Sequence, residues 1–217
     1  MKKNIVLFVL FVLPIVAYLF FASGVHNFTH LPTVTPSVPD LKEWKSTKGE
    51  TFSLNNKITI LVFPGNEVVK NKGNAFNLNQ KIYEKVMGFS DFQLICVTPF
   101  GMEEQTAQVQ EDLSRISDMS RWHYIFASPD EIKNYYQQFN LIGQLGTDVG
   151  TPNVFIIDKE RNLRGRKGKD KKGNAEYKEG YNTISAADLH NEMGDDIKII
   201  LAEYRLALKK NSANRKK

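Results

Sequence analysis

The stretch Lys57–Lys70, KITILVFPGNEVVK, constrains the fold more than any other part of this chain. Ile58-Thr59-Ile60-Leu61-Val62-Phe63 is an unbroken β-rich run that ends in Pro64-Gly65. A strand without polar alternation, bounded by turn residues, is one covered on both faces. In α/β folds the crevice beyond the carboxyl end of such a strand is where ligands bind and chemistry occurs. Here Gly65-Asn66-Glu67-Val68-Val69 supplies no Cys, no His and no glycine-rich phosphate cradle. The scaffold of a site is present without its reactive atoms.

The rhythm of the following residues extends this strand into an alternating fold. A helix is predicted over 74–87, with Leu78, Ile82 and Val86 four apart on one face. Phe92–Thr98 (FQLICVT) is the next buried strand. A helix over 103–117 then places Thr106, Val109, Leu113 and Ile116 on one side, and Trp122–Ala127 (WHYIFA) is a third strand. Ser128-Pro129-Asp130-Glu131 is a capping box with Pro at the first helical position. The helix it starts carries Ile132, Tyr135, Tyr136 and Phe139 and ends before Gly143. Thr151–Asp158 is a strand led by a proline, and Leu163–Arg166 returns antiparallel to it after a turn. Residues 166–182 read as a polar, mobile loop. Ser185 caps a closing helix over 185–210 bearing Leu189, Met193, Ile197, Ile200, Tyr204 and Leu208. Parallel strands joined by helical crossovers predict one α/β domain over residues 50–210, followed by a basic, frayed tail over 211–217.

Ahead of this domain, Ile5–Ala22 is an apolar run of roughly 27 Å as a helix, near the thickness of a bilayer core. Residues 1–24 are therefore expected to be one N-terminal transmembrane helix serving as a signal anchor, with residues 25–49 an extended stalk rich in Pro and Thr. Cleavage at Ala22-Ser23-Gly24 stays open as the alternative. Lys2 and Lys3 put the N-terminus in the cytoplasm and the globular domain outside the inner membrane, in the periplasm or its equivalent. No Cys follows the run, which excludes a lipoprotein anchor. His26 and His30 are four apart, but no third ligand accompanies them and the prolines oppose a helix, so they read as juxtamembrane polar residues.

The net charge of +5 is misleading as a sign of nucleic-acid binding. Lys2, Lys3, Lys209, Lys210, Arg215, Lys216 and Lys217 lie at the ends, and the total less these seven leaves −2 for the rest. One Cys excludes an intrachain disulfide and any CxxC chemistry. Cys96 falls inside a strand pattern, where it acts as a small hydrophobe. Met87, Met102, Met119 and Met193 are dispersed, and the pairs Glu103-Glu104, Glu111-Asp112 and Asp195-Asp196 fall on solvated helix faces. No nucleophile, base and orienting group share a workable spacing, so the expectation is a non-catalytic protein.

Strand–helix alternation ending in a proline-led strand, a hairpin and a long helix resembles the thioredoxin fold with the insertion found in peroxiredoxins. With the anchor, the stalk and the closing segment Tyr177–Lys210, the layout is similar to the Sco/SenC proteins, membrane-anchored copper chaperones of cytochrome c oxidase assembly. That resemblance implies a copper site made by CxxxC after the first core strand and a His before the proline-led strand. Pro64–Lys70 and Gly150-Thr151-Pro152 occupy those places with neither Cys nor His. No ligand carries over, and no copper or other cofactor is expected. The resemblance also makes Pro152 the candidate cis-proline. The function implied is a membrane-tethered binding or assembly factor with an envelope protein as partner. The alternative is a thiol or copper protein that uses Cys96 with a His brought near by folding. One surface stretch stands out: Arg161, Arg164, Arg166, Lys167, Lys169, Lys171 and Lys172 against Asp170 alone. It reads either as a solvated loop or as a docking surface for an acidic protein face or anionic headgroups.

Overall fold

The structure, a computed structural model, describes residues 8–16, 18, 30–170 and 172–214, with side chains as far as Arg205. Among the described residues nine strands are formed: β1 Thr33–Thr35, β2 Ile58–Pro64, β3 Phe92–Pro99, β4 Trp122–Ala127, β5 Gly150–Ile157, β6 Leu163–Arg164, β7 Arg166–Lys169, β8 Ala175–Lys178 and β9 Tyr181–Asn182. Seven of them make one sheet in the order β1-β6-β5-β2-β3-β4, with β9 also on β5. β2, β3 and β4 run parallel, and β5 lies antiparallel to β2. β2 is thus a central strand, as its uninterrupted apolar run requires.

The helices are α1 Lys72–Leu78, which continues through a π-helical turn Asn79–Tyr83 into Glu84–Val86, α2 Glu103–Ser114, α3 Pro129–Gln137 and α4 Gly194–Asn214. Residues Asp188–Met193 form a second π-helical segment leading into α4. The period of two along each strand sends side chains to two cores. Ile60, Leu94, Cys96, Tyr124 and Ile156 face α1, α2 and α4. Leu61, Phe63, Ile95, Val97, Ile125 and Phe155 face α3, where Tyr136 and, just past the helix, Phe139 pack edge-on against Phe63. The capping box at α3 is closed in both directions: Ser128 Oγ accepts from the Glu131 N–H, and the Glu131 carboxylate accepts from the Ser128 N–H.

Four sequence expectations are corrected. The stalk is part of the folded body from Leu31 onward: β1 pairs with β6, and Leu31, Val38, Leu41 and Trp44 are buried. The loop expected over 166–182 is instead the hairpin β7–β8 followed by β9. The Thr151–Pro152 peptide is trans, like every described peptide bond. The trans backbone lets β5 run extended from Gly150, so that the Pro152 carbonyl accepts from the Thr183 N–H and Asn153 pairs with Asn182. The fourth concerns the basic stretch and is taken with the site below. At the N-terminus, residues 8–16 and 18 are helical with exposed Phe8, Phe11 and Leu13, and the ends of the expected span Ile5–Ala22 lie outside the described residues. Among the described residues no helix is long and apolar enough to cross a membrane.

Candidate functional site

Beyond the carboxyl end of β2 the fold leaves a cavity of about 440 Å3. Its floor is cut straight across the sheet, because Val62, Cys96 and Tyr124 are partners in register on β2, β3 and β4 and Trp122 points to the same face. One wall is Val68 and the first turns of α1, with Ala75 and Leu78 apolar and Asn71 and Asn74 polar. The facing wall is the segment from Gln144 to Pro152, and Thr183 and Ile184 complete the rim.

That facing wall is tightly built. Asp148 Oδ1 accepts from the Gly150 N–H at 3.1 Å, and the Gly146 N–H donates to the Gly150 carbonyl at 2.8 Å. Gly65 sits at φ +73°, and a Cβ there would lie 2.5 Å from Asp148 Oδ2, so glycine is needed both for conformation and for the close approach. Val149 is buried at φ 57°, a left-handed conformation that costs a β-branched residue roughly 1–2 kcal/mol. Strain of this kind persists where the surroundings fix the backbone, and here it holds the entry to β5 against β2.

The floor carries three polar groups. Burial pushes the Cys96 thiol well above its usual range, and the Trp122 indole beside it offsets only a little of that. The Tyr124 phenol is raised for the same reason, with Cys96 adding to the effect. Trp122 Nε1 is buried against both groups, close enough to lower both pKa values, but makes no hydrogen bond of good geometry to any described atom. A thiol held in its neutral form is a poor nucleophile and a poor soft-metal ligand.

Among the described residues no His lines the cavity. His123 opposes Ile95 and so projects to the other face of the sheet from Cys96; there it stacks on Phe52 at 4.3 Å, and burial lowers its pKa. His30 is exposed, 3.2 Å from Glu203, and His190 is exposed near Lys85. His26 lies outside the described residues. None of the described histidines is brought to Cys96 by the fold. Among the described residues no three His, Cys, Asp or Glu side chains converge as a metal site would need. The donors at the cavity are amides, hydroxyls, one carboxylate and the single buried Cys96 thiol, a set without the clustered thiolates or imidazoles that copper(I) prefers.

The basic stretch divides in two, which corrects the docking surface drawn from sequence. Arg164 is 8% exposed: Nη1 donates to Asp158 Oδ2 at 2.9 Å, Nη2 to Glu203 Oε2 at 2.9 Å, and Nε to the Leu31 carbonyl at 2.9 Å. Arg166 bonds Asp196 and Glu176. Arg164 is a buried clamp and Arg166 a half-buried one. Lys167, Lys169 and Lys172 are exposed on or beside the hairpin, Arg161 is half-buried at φ 62°, and Lys171 lies outside the described residues. The sequence reasoning also missed Trp122 and Tyr124 as cavity residues. The period of two in WHYIFA, set beside Cys96, was the available signal.

No protein-family model matches this sequence, and no curated protein matches it. Solved structures do. BsSco, a member of the Sco family of cytochrome c oxidase assembly proteins, aligns with a TM-score of 0.54 at 12% identity over 79% of this chain and 98% of its own. A SCO1/SenC family lipoprotein from Bacillus anthracis aligns with a TM-score of 0.55 at 15% identity over 80% of this chain and 99% of its own. The chain has the thioredoxin-like fold of the Sco/SenC proteins. The likeness is one of fold. Within that Sco-like fold, the cavity stands at the end of the sheet where the sequence comparison placed the missing CxxxC and His.

Proposed function

We propose that this chain is a non-catalytic binding or assembly protein of the cell envelope, built on a Sco-like scaffold without a copper or dithiol site. The observation that supports it is the cavity beyond β2. It is fully formed, yet its only thiol is buried at the floor and it offers no imidazole. Its partner is another envelope protein, and the likeness in fold to a cytochrome c oxidase assembly protein supports respiratory-oxidase or copper maturation as the setting. Nucleic acid is not a partner, since the body of the chain carries no net basic charge.

The N-terminal apolar segment anchors the protein in the inner membrane, with Lys2 and Lys3 inside and the domain outside. Protease added to spheroplasts is then expected to digest the domain, and its protection alongside a cytoplasmic control would overturn this orientation. Exposed Lys167, Lys169 and Lys172 are what remains of the docking surface, facing an acidic partner or anionic headgroups. The central claim is tested by copper(I) titration of the full chain. Weak binding that is indifferent to Cys96→Ser is expected. Sub-nanomolar binding abolished by that substitution would replace the assembly reading with a copper one.

A further inference from the structure

We propose that the outward face of the β7–β8 hairpin docks on the anionic headgroups of the membrane that holds the N-terminus. The assignment rests on the reading of Ile5–Ala22 as an anchor, and it narrows the docking surface of the basic stretch to one occupant.

Register divides the hairpin into two faces. Arg166 is paired across the ladder with Lys178, and Gly168 with Glu176. These residues turn inward: Arg166 donates to Asp196 and Glu176, and Lys178 to Asp188 and Glu192. The alternate pairs, Lys167 with Tyr177 and Lys169 with Ala175, lie on the opposite face, since side chains alternate along a strand. All four are exposed, Tyr177 to 45%. Lysines around an exposed tyrosine are a composition that membrane interfaces favour. The neighbouring acids are held back against the protein. Glu179, next on the same face, accepts from the N–H groups of Ile142 and Gly143 and from the Tyr177 hydroxyl. Asp170, in the turn, accepts from the N–H groups of Lys172 and Asn174. One Glu179 oxygen holds both the Ile142 N–H and the Tyr177 hydroxyl, which puts Ile142, 75% exposed, at the margin of the face.

The course of the chain selects the occupant. β7 leaves β6 through Gly165 alone, and the Gly165 N–H donates to the Pro32 carbonyl just ahead of β1 at 3.0 Å. The hairpin therefore springs from the body beside the point where the N-terminal segment joins it. Residues 23–30 separate that point from the anchor, and so short a segment spans at most roughly 28 Å. Headgroups are thus held permanently within reach of a cationic face, at an effective concentration that a free acidic protein does not share.

The test uses the full-length chain in nanodiscs of phosphatidylcholine, with and without phosphatidylglycerol, and reads amide hydrogen exchange over residues 166–178. Exchange is expected to slow roughly fivefold or more in the anionic discs, the return from one lysine at such a surface. Molar salt should reverse the slowing, because it shortens the screening length to about 3 Å. Lys167→Gln combined with Lys169→Gln should abolish it. Lys48→Gln should not, since that exposed lysine lies beside β4 at the opposite edge of the sheet. Equal exchange in the two discs, slowing that survives molar salt or the double substitution, or slowing lost in Lys48→Gln would each overturn the assignment and leave the face to a protein partner or to solvent. Co-elution with the phosphatidylcholine discs reports the anchor separately. A chain that fails to co-elute overturns the tether and the docking together, whereas one that co-elutes without lipid-dependent slowing overturns the docking alone. The copper(I) titration turns on Cys96 and is untouched by these variants, so the assembly reading stands or falls in a different experiment.

Discussion

Around Arg164 each guanidinium nitrogen has an acceptor, whereas at the floor of the cavity the Trp122 N–H has none. Both groups are buried, and the contrast separates two uses of buried polarity. The Arg164 cluster joins elements far apart in sequence. Asp158 follows β5, Glu203 lies on α4 and Leu31 precedes β1, so the arginine ties the N-terminal segment to the last helix. Asp158 in turn accepts from the backbone N–H groups of Glu160 and Asn162. A buried network this complete fixes position. The cavity floor is less complete in the same environment, because the Trp122 N–H lies against the Cys96 thiol and the Tyr124 phenol without a well-formed bond to either.

Arg164→Ala should give the largest effect, because it strands the Asp158 and Glu203 carboxylates in a nearly water-free setting. Breaking a buried pair from one side costs about 3–5 kcal/mol. In a chain of this size that lowers the melting temperature by roughly 10 °C, readable by circular dichroism. A change under about 1 kcal/mol would mean the cluster is no clamp and would erase the contrast with the cavity.

Tyr181→Phe should come next. Its buried hydroxyl donates to Asp196 at 2.7 Å, and Asp196 is also held by Arg166. A hydrogen bond to a charged group contributes about 1.5–3 kcal/mol, so the urea midpoint should fall accordingly. The same residue sharpens the alkaline limit. Burial first, then the Asp196 charge, raises the Tyr181 pKa in the fold, and burial raises Tyr124 and Tyr135 as well. The folded state therefore keeps protons that unfolded tyrosines release near their ordinary value of about 10. Stability from these groups is whole below that pH and falls as pH rises beyond it, by about 1.4 kcal/mol per pH unit for each tyrosine. Tyr181→Phe should remove one proton from that slope. A slope unchanged by the substitution would show that its phenol ionises in place.

The sequence made the central layers legible because local pattern decides them. The apolar run at β2, the closed capping box at α3 and the spacing on α1 are written within ten residues or so, and the fold follows them. The arginines were illegible for the opposite reason. Arg164 and Arg166 sit in a basic run and read as surface, but their partners Glu203 and Asp196 lie 39 and 30 residues away. No local rule pairs them. The β7–β8 hairpin was hidden likewise, since its glycines and lysines carry no alternation and its strands are held by register alone. The position of the cavity was foreseen at the end of β2. Its floor was not, because Cys96, Trp122 and Tyr124 meet only once β3 and β4 are in register.

The smallest effect should be Trp122→Phe, and its smallness is the point. Trp122 packs edge-on against Tyr83 at 5.3 Å, so trimming the indole to a phenyl ring loses contact area. Large-to-small changes of this kind cost about 1–3 kcal/mol, part of the 3–5 for complete truncation. Against that, the substitution removes an unmet buried donor whose desolvation already burdens the folded state by about 1–3 kcal/mol. The two oppose, and the urea midpoint should move by less than about 1 kcal/mol in either direction. A partnered tryptophan would behave otherwise, since both the ring contacts and a hydrogen bond would be lost together. Loss of about 3 kcal/mol or more would therefore show that Trp122 is as fully engaged as Arg164. The contrast between the two buried groups would then close.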